Sequence, residues 1–97
     1  MHARLARYEV SPERMDEAIK GFRTVASELG EIEGSKGGYL LVDRGEGRAV
    51  TVTFWESGAA LDASDARAAS LRRRAMEASE GSVQAVEKLE VAVEFEA

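Results

Sequence analysis

Five side chains hold most of the chemistry available to this 97-residue chain: Arg4, Tyr8, Tyr39, Trp55 and Arg72. Trp55 ends an alternating run and offers either a flat wall to an aromatic ligand or an aromatic plug to a core or interface. Tyr8 and Tyr39 bring phenolic hydroxyls, suited to such a ligand or to structural hydrogen bonds. Arg72 follows Leu71 on a helical stripe. There a guanidinium would either hold an anionic or enolate oxygen at a cavity mouth or stay solvated. Arg4 falls near Trp55, His2 and Phe95 once the strands are ordered as argued below. These five are candidate ligand contacts, and no catalytic residue is assigned. The usual catalytic sets are missing. His2 is the only histidine and sits near the N-terminus, where a surface position is expected. With no cysteine there is no thiolate chemistry and no disulfide. No Ser-His-Asp or Cys-His arrangement forms, and one histidine among scattered carboxylates lacks metal-ligand spacing. No cofactor and no metal are expected.

The hydrophobic pattern supplies the elements that must position these groups. Residues 3–10 read as a strand, with Leu5 on one face and Ala6, Tyr8 and Val10 on the other. Ser11-Pro12 starts a helix, a capping hydroxyl followed by proline at the first helical position. Met15, Ala18, Ile19, Phe22, Val25, Ala26 and Leu29 keep helical spacing, so this helix spans 12–29 with Gly30 as its C-terminal cap. A glycine-containing loop over 31–38 leads to a short strand at 39–42 and a hairpin connection at 43–47. The strand over 48–55 follows, with Val50, Val52 and Phe54 alternating with Ala49, Thr51, Thr53 and Trp55. Ser57 caps a second helical region that runs to about Ser79 and breaks near Ser64. Its inner stripe of Leu61, Ser64, Ala68, Leu71, Ala75 and Ala78 is thin, which implies close packing on the sheet or a cavity beneath the helix. Gly81 ends the helix. Residues 89–96 alternate strictly and read as the last strand, with 83–88 its extension or lead-in.

Net charge and composition exclude other classes. A net charge of −5 and a pI near 4.9 oppose a phosphate-binding surface. The one basic run, Arg72-Arg73-Arg74, complements a helix dipole. Neither glycine-rich segment has the spacing of a phosphate loop or a dinucleotide fingerprint. No nucleic-acid partner is expected. No stretch approaches the ~18 apolar residues that cross a bilayer, and the alternating N-terminus does not read as a signal peptide. The expectation is one cytoplasmic domain over 1–97, with no membrane partner.

Strand, helix, strand, strand, helix, strand is the ferredoxin-like βαββαβ order, an α+β sandwich with a four-stranded antiparallel sheet in the order 4-1-3-2. Leu5, Val50, Val52, Phe54, Val91 and Val93 are expected under the helices. Arg4, Ala6, Tyr8, Thr51, Thr53, Trp55, Glu90 and Glu94 then take the open face, where Arg4 would neutralise Glu90 and Glu94 across strands. That mixed face suits a second copy better than water, so a homodimer through the open face and strand four is expected.

The segment Val50-Thr51-Val52-Thr53-Phe54-Trp55-Glu56-Ser57, then Ala60-Leu61, together with the helix start at Ser11-Pro12-Glu13, resembles the antibiotic-biosynthesis-monooxygenase-type domain of the dimeric α/β-barrel superfamily. The resemblance covers nearly the whole chain. It implies pairing into a dimeric α/β barrel and a cofactor-independent monooxygenase-like protein that acts on or binds a small aromatic molecule. The alternative is a non-catalytic homodimeric small-ligand-binding or assembly domain of the same fold. The chain departs from the family at Thr53, where many relatives carry Glu, and at Ser64, where many carry His. It has none of the Asn on which such oxygenases commonly rely, and no His on the second helix, where haem-degrading relatives carry their axial ligand.

Overall fold

The computed structural model describes residues 1–97. Its strands are β1 (His2–Glu9), β2 (Ser35–Asp43), β3 (Arg48–Trp55) and β4 (Ser82–Glu90), and its helices are α1 (Met15–Glu31), α2 (Gly58–Ala63) and α3 (Asp65–Met76). The sheet is antiparallel throughout, in the order β2-β3-β1-β4, with the helices on one face. This is the expected ferredoxin-like α+β arrangement.

Element ends differ from the pattern for local reasons. Pro12–Arg14 form a 3-10 turn before α1, and the Ser11 hydroxyl makes no capping bond. Helix α1 continues through Gly30 to Glu31, and Ile32 leaves in extended conformation. β2 begins inside the glycine-rich segment at Ser35, with a register shift before Gly38. A Cβ on Gly38 would lie 2.2 Å from the Val52 carbonyl oxygen, so only glycine lets β2 run this close to β3. The Ser57 hydroxyl caps α2 by accepting from the Ala60 amide at 3.0 Å, and the expected break falls at Ser64, between α2 and α3. The last strand is Ser82–Glu90, not 89–96. Beyond it the only ladder bond is Val91 N–H to the Met1 carbonyl, and Phe95 is 88% exposed, away from the Arg4–Trp55 cluster in which it was expected.

The larger correction concerns the faces of the sheet. Arg4, Ala6, Tyr8, Ala49 and Trp55 are buried on the helix side, and Thr51 and Thr53 share that face by register. Leu5, Val50, Val52 and Phe54 lie on the uncovered side, with Tyr39 and Leu41 beside them in register. Small residues allow this. Ala6, Ala49, Ala68 and Ala75 bring helices and sheet together, while Met15, Phe22, Val25 and Leu71 fill the space between. The alanine stripe of α3 packs tightly against α1, since a Cβ on Gly21 would sit 2.0 Å from the Ala75 carbonyl oxygen. Glu28 on α1 bridges Arg67 and Arg74 of α3 across the outer side of this crossing. No helix is long and apolar enough to cross a membrane.

Candidate functional site

The most apolar groove lies between α1 and the β2–β3 pair, not beneath the alanine-rich helix. Its volume is 520 Å³, and its walls include Phe22 and Leu29 from α1, Leu40 from β2, and Thr51, Thr53 and Trp55 from β3. That volume falls within the range of about 300–1,000 Å³ typical of small-molecule sites. A second, much smaller chamber of 20 Å³ adjoins it, bounded by Arg4, Tyr8, Ala68 and Arg72. Phe22, Leu29, Thr51 and Thr53 line both spaces.

The register of β1 against β3 assembles the polar part. Arg4 stands opposite Thr53, Ala6 opposite Thr51, and Tyr8 opposite Ala49, so alternate residues of two strands aim at one volume. Tyr8 is 1% exposed and shares a 3.0 Å hydrogen bond with the Thr51 hydroxyl. Its ring meets Phe22 edge-on, with centroids 5.2 Å apart. Burial pushes the Tyr8 phenol above its ordinary value, partly offset by the Thr51 bond and by Arg72 and Arg4. Trp55 is fully buried, and its indole N–H donates to Thr53 at 3.0 Å.

Arg4 departs furthest from expectation. It pairs not with Glu90 or Glu94 but with Asp65, on the helix side. Its Nη2 also donates to the Leu61 carbonyl and the Ser64 hydroxyl, each at 3.0 Å, and its guanidinium carbon lies 5.6 Å from the centre of the Trp55 ring. At the α2–α3 break the Leu61 carbonyl has no amide of the next helical turn and accepts instead from the Ser64 hydroxyl at 2.7 Å, the Ser64 amide at 3.2 Å and the Arg4 guanidinium. All of the Arg4 bonds use one nitrogen, and buried Nη1 has no partner. Asp65 also meets Lys88, whose bond with the added effect of Arg4 holds its carboxyl below the usual range. Arg72 is half-buried and enters no ion pair. Burial lowers its pKa from the ordinary arginine value, and Tyr8 is the largest opposing influence.

Four of the five candidates therefore meet: Arg4, Tyr8, Trp55 and Arg72. Tyr39 does not join them. It is 69% exposed and stands at the rim of the groove. Thr51, Phe22 and the Ser64–Asp65 pair were absent from the candidates, although Thr51 and Thr53 share the two-residue spacing of Trp55. His2 is not frayed. It lies in β1, opposite Trp55 in register, with its ring against Gly58 and a buried, unpartnered Nδ1.

Comparison with known proteins agrees with this architecture. The chain is 37% identical over 94 residues to the uncharacterised protein Rv2558 of Mycobacterium tuberculosis, a match covering 96% of the chain and 39% of that protein, so the chain spans well under half of its relative. The haem degrader MhuD of Mycobacterium tuberculosis, solved with two haems in its active site, superposes with a TM-score of 0.78 at 24% identity, over 99% of this chain and all of that one. SnoaB of Streptomyces nogalater, a cofactor-independent oxygenase, gives 0.74 at 17% identity, over 97% and 95%. At these identities the two structures speak to the fold alone. Residues 1–78 match the family described as antibiotic biosynthesis monooxygenase, and the chain belongs to that family.

Proposed function

We propose that this chain binds a small flat aromatic molecule in the groove between α1 and β2–β3, as a cofactor-independent monooxygenase-like protein. The observation that carries this reading is the 520 Å³ groove that runs from Phe22 and Leu29 to the Trp55 wall, with two guanidiniums at its inner end. Ile19, Leu29 and Leu40 supply partly exposed apolar surface over the buried Phe22 and Trp55 rings, Thr51 and Thr53 supply hydroxyls, and Arg4 and Arg72 supply positive charge. The ionisable residues around the groove are tyrosine and arginine, with no His, Asp or Glu in its lining. The protein's part is thus to orient the substrate, exclude water and stabilise its anionic form. Oxygen then reacts with the substrate itself. An activated CH2 becomes C=O, one oxygen atom entering the product and the other leaving as water, with the substrate carbon giving up the electrons.

Haem ligation does not fit these residues. An axial ligand is needed, and α2 and α3 carry no His, His2 sits against Gly58 outside the groove, and of the two tyrosines Tyr8 is buried and bonded to Thr51 while Tyr39 stands at the rim.

Homodimerisation belongs to the same proposal. Leu5, Val50, Val52 and Phe54 on the uncovered face, with Leu41 at 53% and Leu89 at 48% exposure, form an apolar surface that a second copy would cover. The absence of a group that titrates near neutrality in the groove favours a second reading, a binding domain without turnover. Oxygen uptake over a panel of anthrones and hydroquinones separates the two. Saturable turnover lost in Trp55→Phe supports the oxygenase. Binding without turnover supports the second reading, and failure of every member of the panel to bind removes both.

A further inference from the structure

We infer that the small chamber behind the groove is an anion subsite that takes one oxygen of a phenolate or carboxylate, so that the ligand is an anionic aromatic molecule. The inference rests on the aromatic-groove reading and narrows it. The chamber holds 20 Å³, room for about one water-sized group, for which ~10–15 Å³ is the minimum. It is too small for a ring and well sized for one oxygen.

Three groups around it lack something. Arg4 is 4% exposed, all its bonds leave from Nη2, and Nη1 is buried with no acceptor. A buried guanidinium nitrogen without an acceptor is costly, and a ligand oxygen would supply one. Arg72 is half-buried, loses solvation there, and has no carboxylate partner. The Tyr8 hydroxyl has Thr51 as its only partner and can make a second bond. Asp65 compensates Arg4 but is shared with Lys88, so the surroundings of the chamber keep a positive excess. Phe22, Leu29, Thr51 and Thr53 also line the groove, so a ring lying in the groove can direct one substituent into the chamber. A neutral amide of the same shape would offer an acceptor but no charge to balance the two guanidiniums.

Isothermal titration calorimetry of the full chain with 2-naphthoate and 2-naphthamide at neutral pH tests the inference. The two probes share a ring system and differ in charge. The expected result is that naphthoate binds at least about tenfold tighter, the factor one charge-assisted hydrogen bond supplies. Arg72→Gln should remove most of this preference, weakening naphthoate far more than naphthamide, while the thermal midpoint holds. Arg72→Lys should restore part of it. Equal binding of the two probes overturns the anion subsite and leaves the aromatic groove standing. So does a preference that survives in Arg72→Gln, which would place the charge selection elsewhere. If neither probe binds, the groove reading falls and the inference with it.

Discussion

Gly21→Ala should destabilise the protein even though alanine is the better helix former. Gly21 lies within α1 where α1 crosses α3, and a Cβ there would stand 2.0 Å from the Ala75 carbonyl oxygen and 2.9 Å from its carbon. The obstacle is backbone, so no side-chain rotation relieves it, and α1 must lift from α3. Helix propensity alone favours alanine by about 1 kcal/mol, whereas overpacking costs about 1–3 kcal/mol and more when backbone must move. The contact is far shorter than any tolerated Cβ approach, so the upper part of that range applies. A net loss of about 1–2 kcal/mol follows. For a domain of this size each kcal/mol shifts the midpoint by about 4–8 °C, which gives a drop of roughly 5–15 °C. Gly30→Ala is the control on the same helix. A Cβ there meets nothing within 4 Å, so a gain of about 0.5 kcal/mol is expected. Paired circular-dichroism melts at one fixed protein concentration decide the matter, since an oligomer's midpoint depends on concentration. If Gly21→Ala melts at or above the wild type, the helices are not in backbone contact, and the closed packing that leaves the groove on the β2 side loses its basis.

Three further outcomes are expected. The carboxyl of Asp65 is held low by Lys88 and Arg4, so its contribution is present above the unfolded carboxylate value near 4 and lost as pH falls through the folded value. Asp65→Asn should therefore lower the midpoint at pH 7 and flatten its decline below about pH 4, with some decline left from Asp43 and Glu28, which are also held low. Superimposable acid profiles would contradict the Arg4–Asp65 pair. Tyr8 shifts the opposite way. Burial raises its phenol, so stability should fall as pH rises past about 10, where the unfolded tyrosine ionises first. Tyr8→Phe should lose about 1 kcal/mol at neutral pH with the Thr51 bond and show a shallower alkaline decline in urea titrations; an unchanged alkaline limb would refute the buried phenol. Finally, Val52→Glu on the uncovered face should turn a dimer into a monomer in light scattering, with its circular-dichroism spectrum unchanged. A variant that stays dimeric would move the interface off this face.

The order of elements and the order of strands were legible because both follow from periodicity and connection rules, which need no knowledge of what covers what. The faces were not. Alternation along β1 and β3 separates Leu5, Val50, Val52 and Phe54 from Arg4, Ala6, Tyr8, Thr51, Thr53 and Trp55, but it does not say which set lies under the helices. The more apolar set looked like the core, yet the helices need small residues to sit low on the sheet, and Ala6 and Ala49 provide them. The polar members of that set are tolerated because partners wait on the helix side: the Leu61 carbonyl at the Ser64 break, the Ser64 hydroxyl, and Asp65. The break itself was readable from the sequence; that it would meet a cation was the step missing. Ser64 matters here for its size as well as its oxygen, since a bulkier residue at this position would take the space that the Arg4 guanidinium fills.

The candidate site survived the inversion for a physical reason. Residues two apart on one strand and their cross-strand partners stay together on whichever face they take, so Arg4, Tyr8, Thr51, Thr53 and Trp55 form one set in either arrangement. What the inversion changed is their surroundings. On an open face they would have met a second sheet and water. Beneath α1 and α3 they meet Phe22, Ala68 and Arg72 instead, around a space of 20 Å³. Tyr39 illustrates the converse. It shares the opposite face with Val52 and so parts from the other four, although its phenol is the same chemical group as that of Tyr8. The cavity also moved with the packing. The thin stripe of α3 is matched by Gly21, which closes the space that small side chains would otherwise leave, and the unfilled volume falls where α1 meets the edge strand β2. The small chamber flanked by Arg4 and Arg72 beside the groove is thus a consequence of which face the helices chose, and a preference of naphthoate over naphthamide would report that choice.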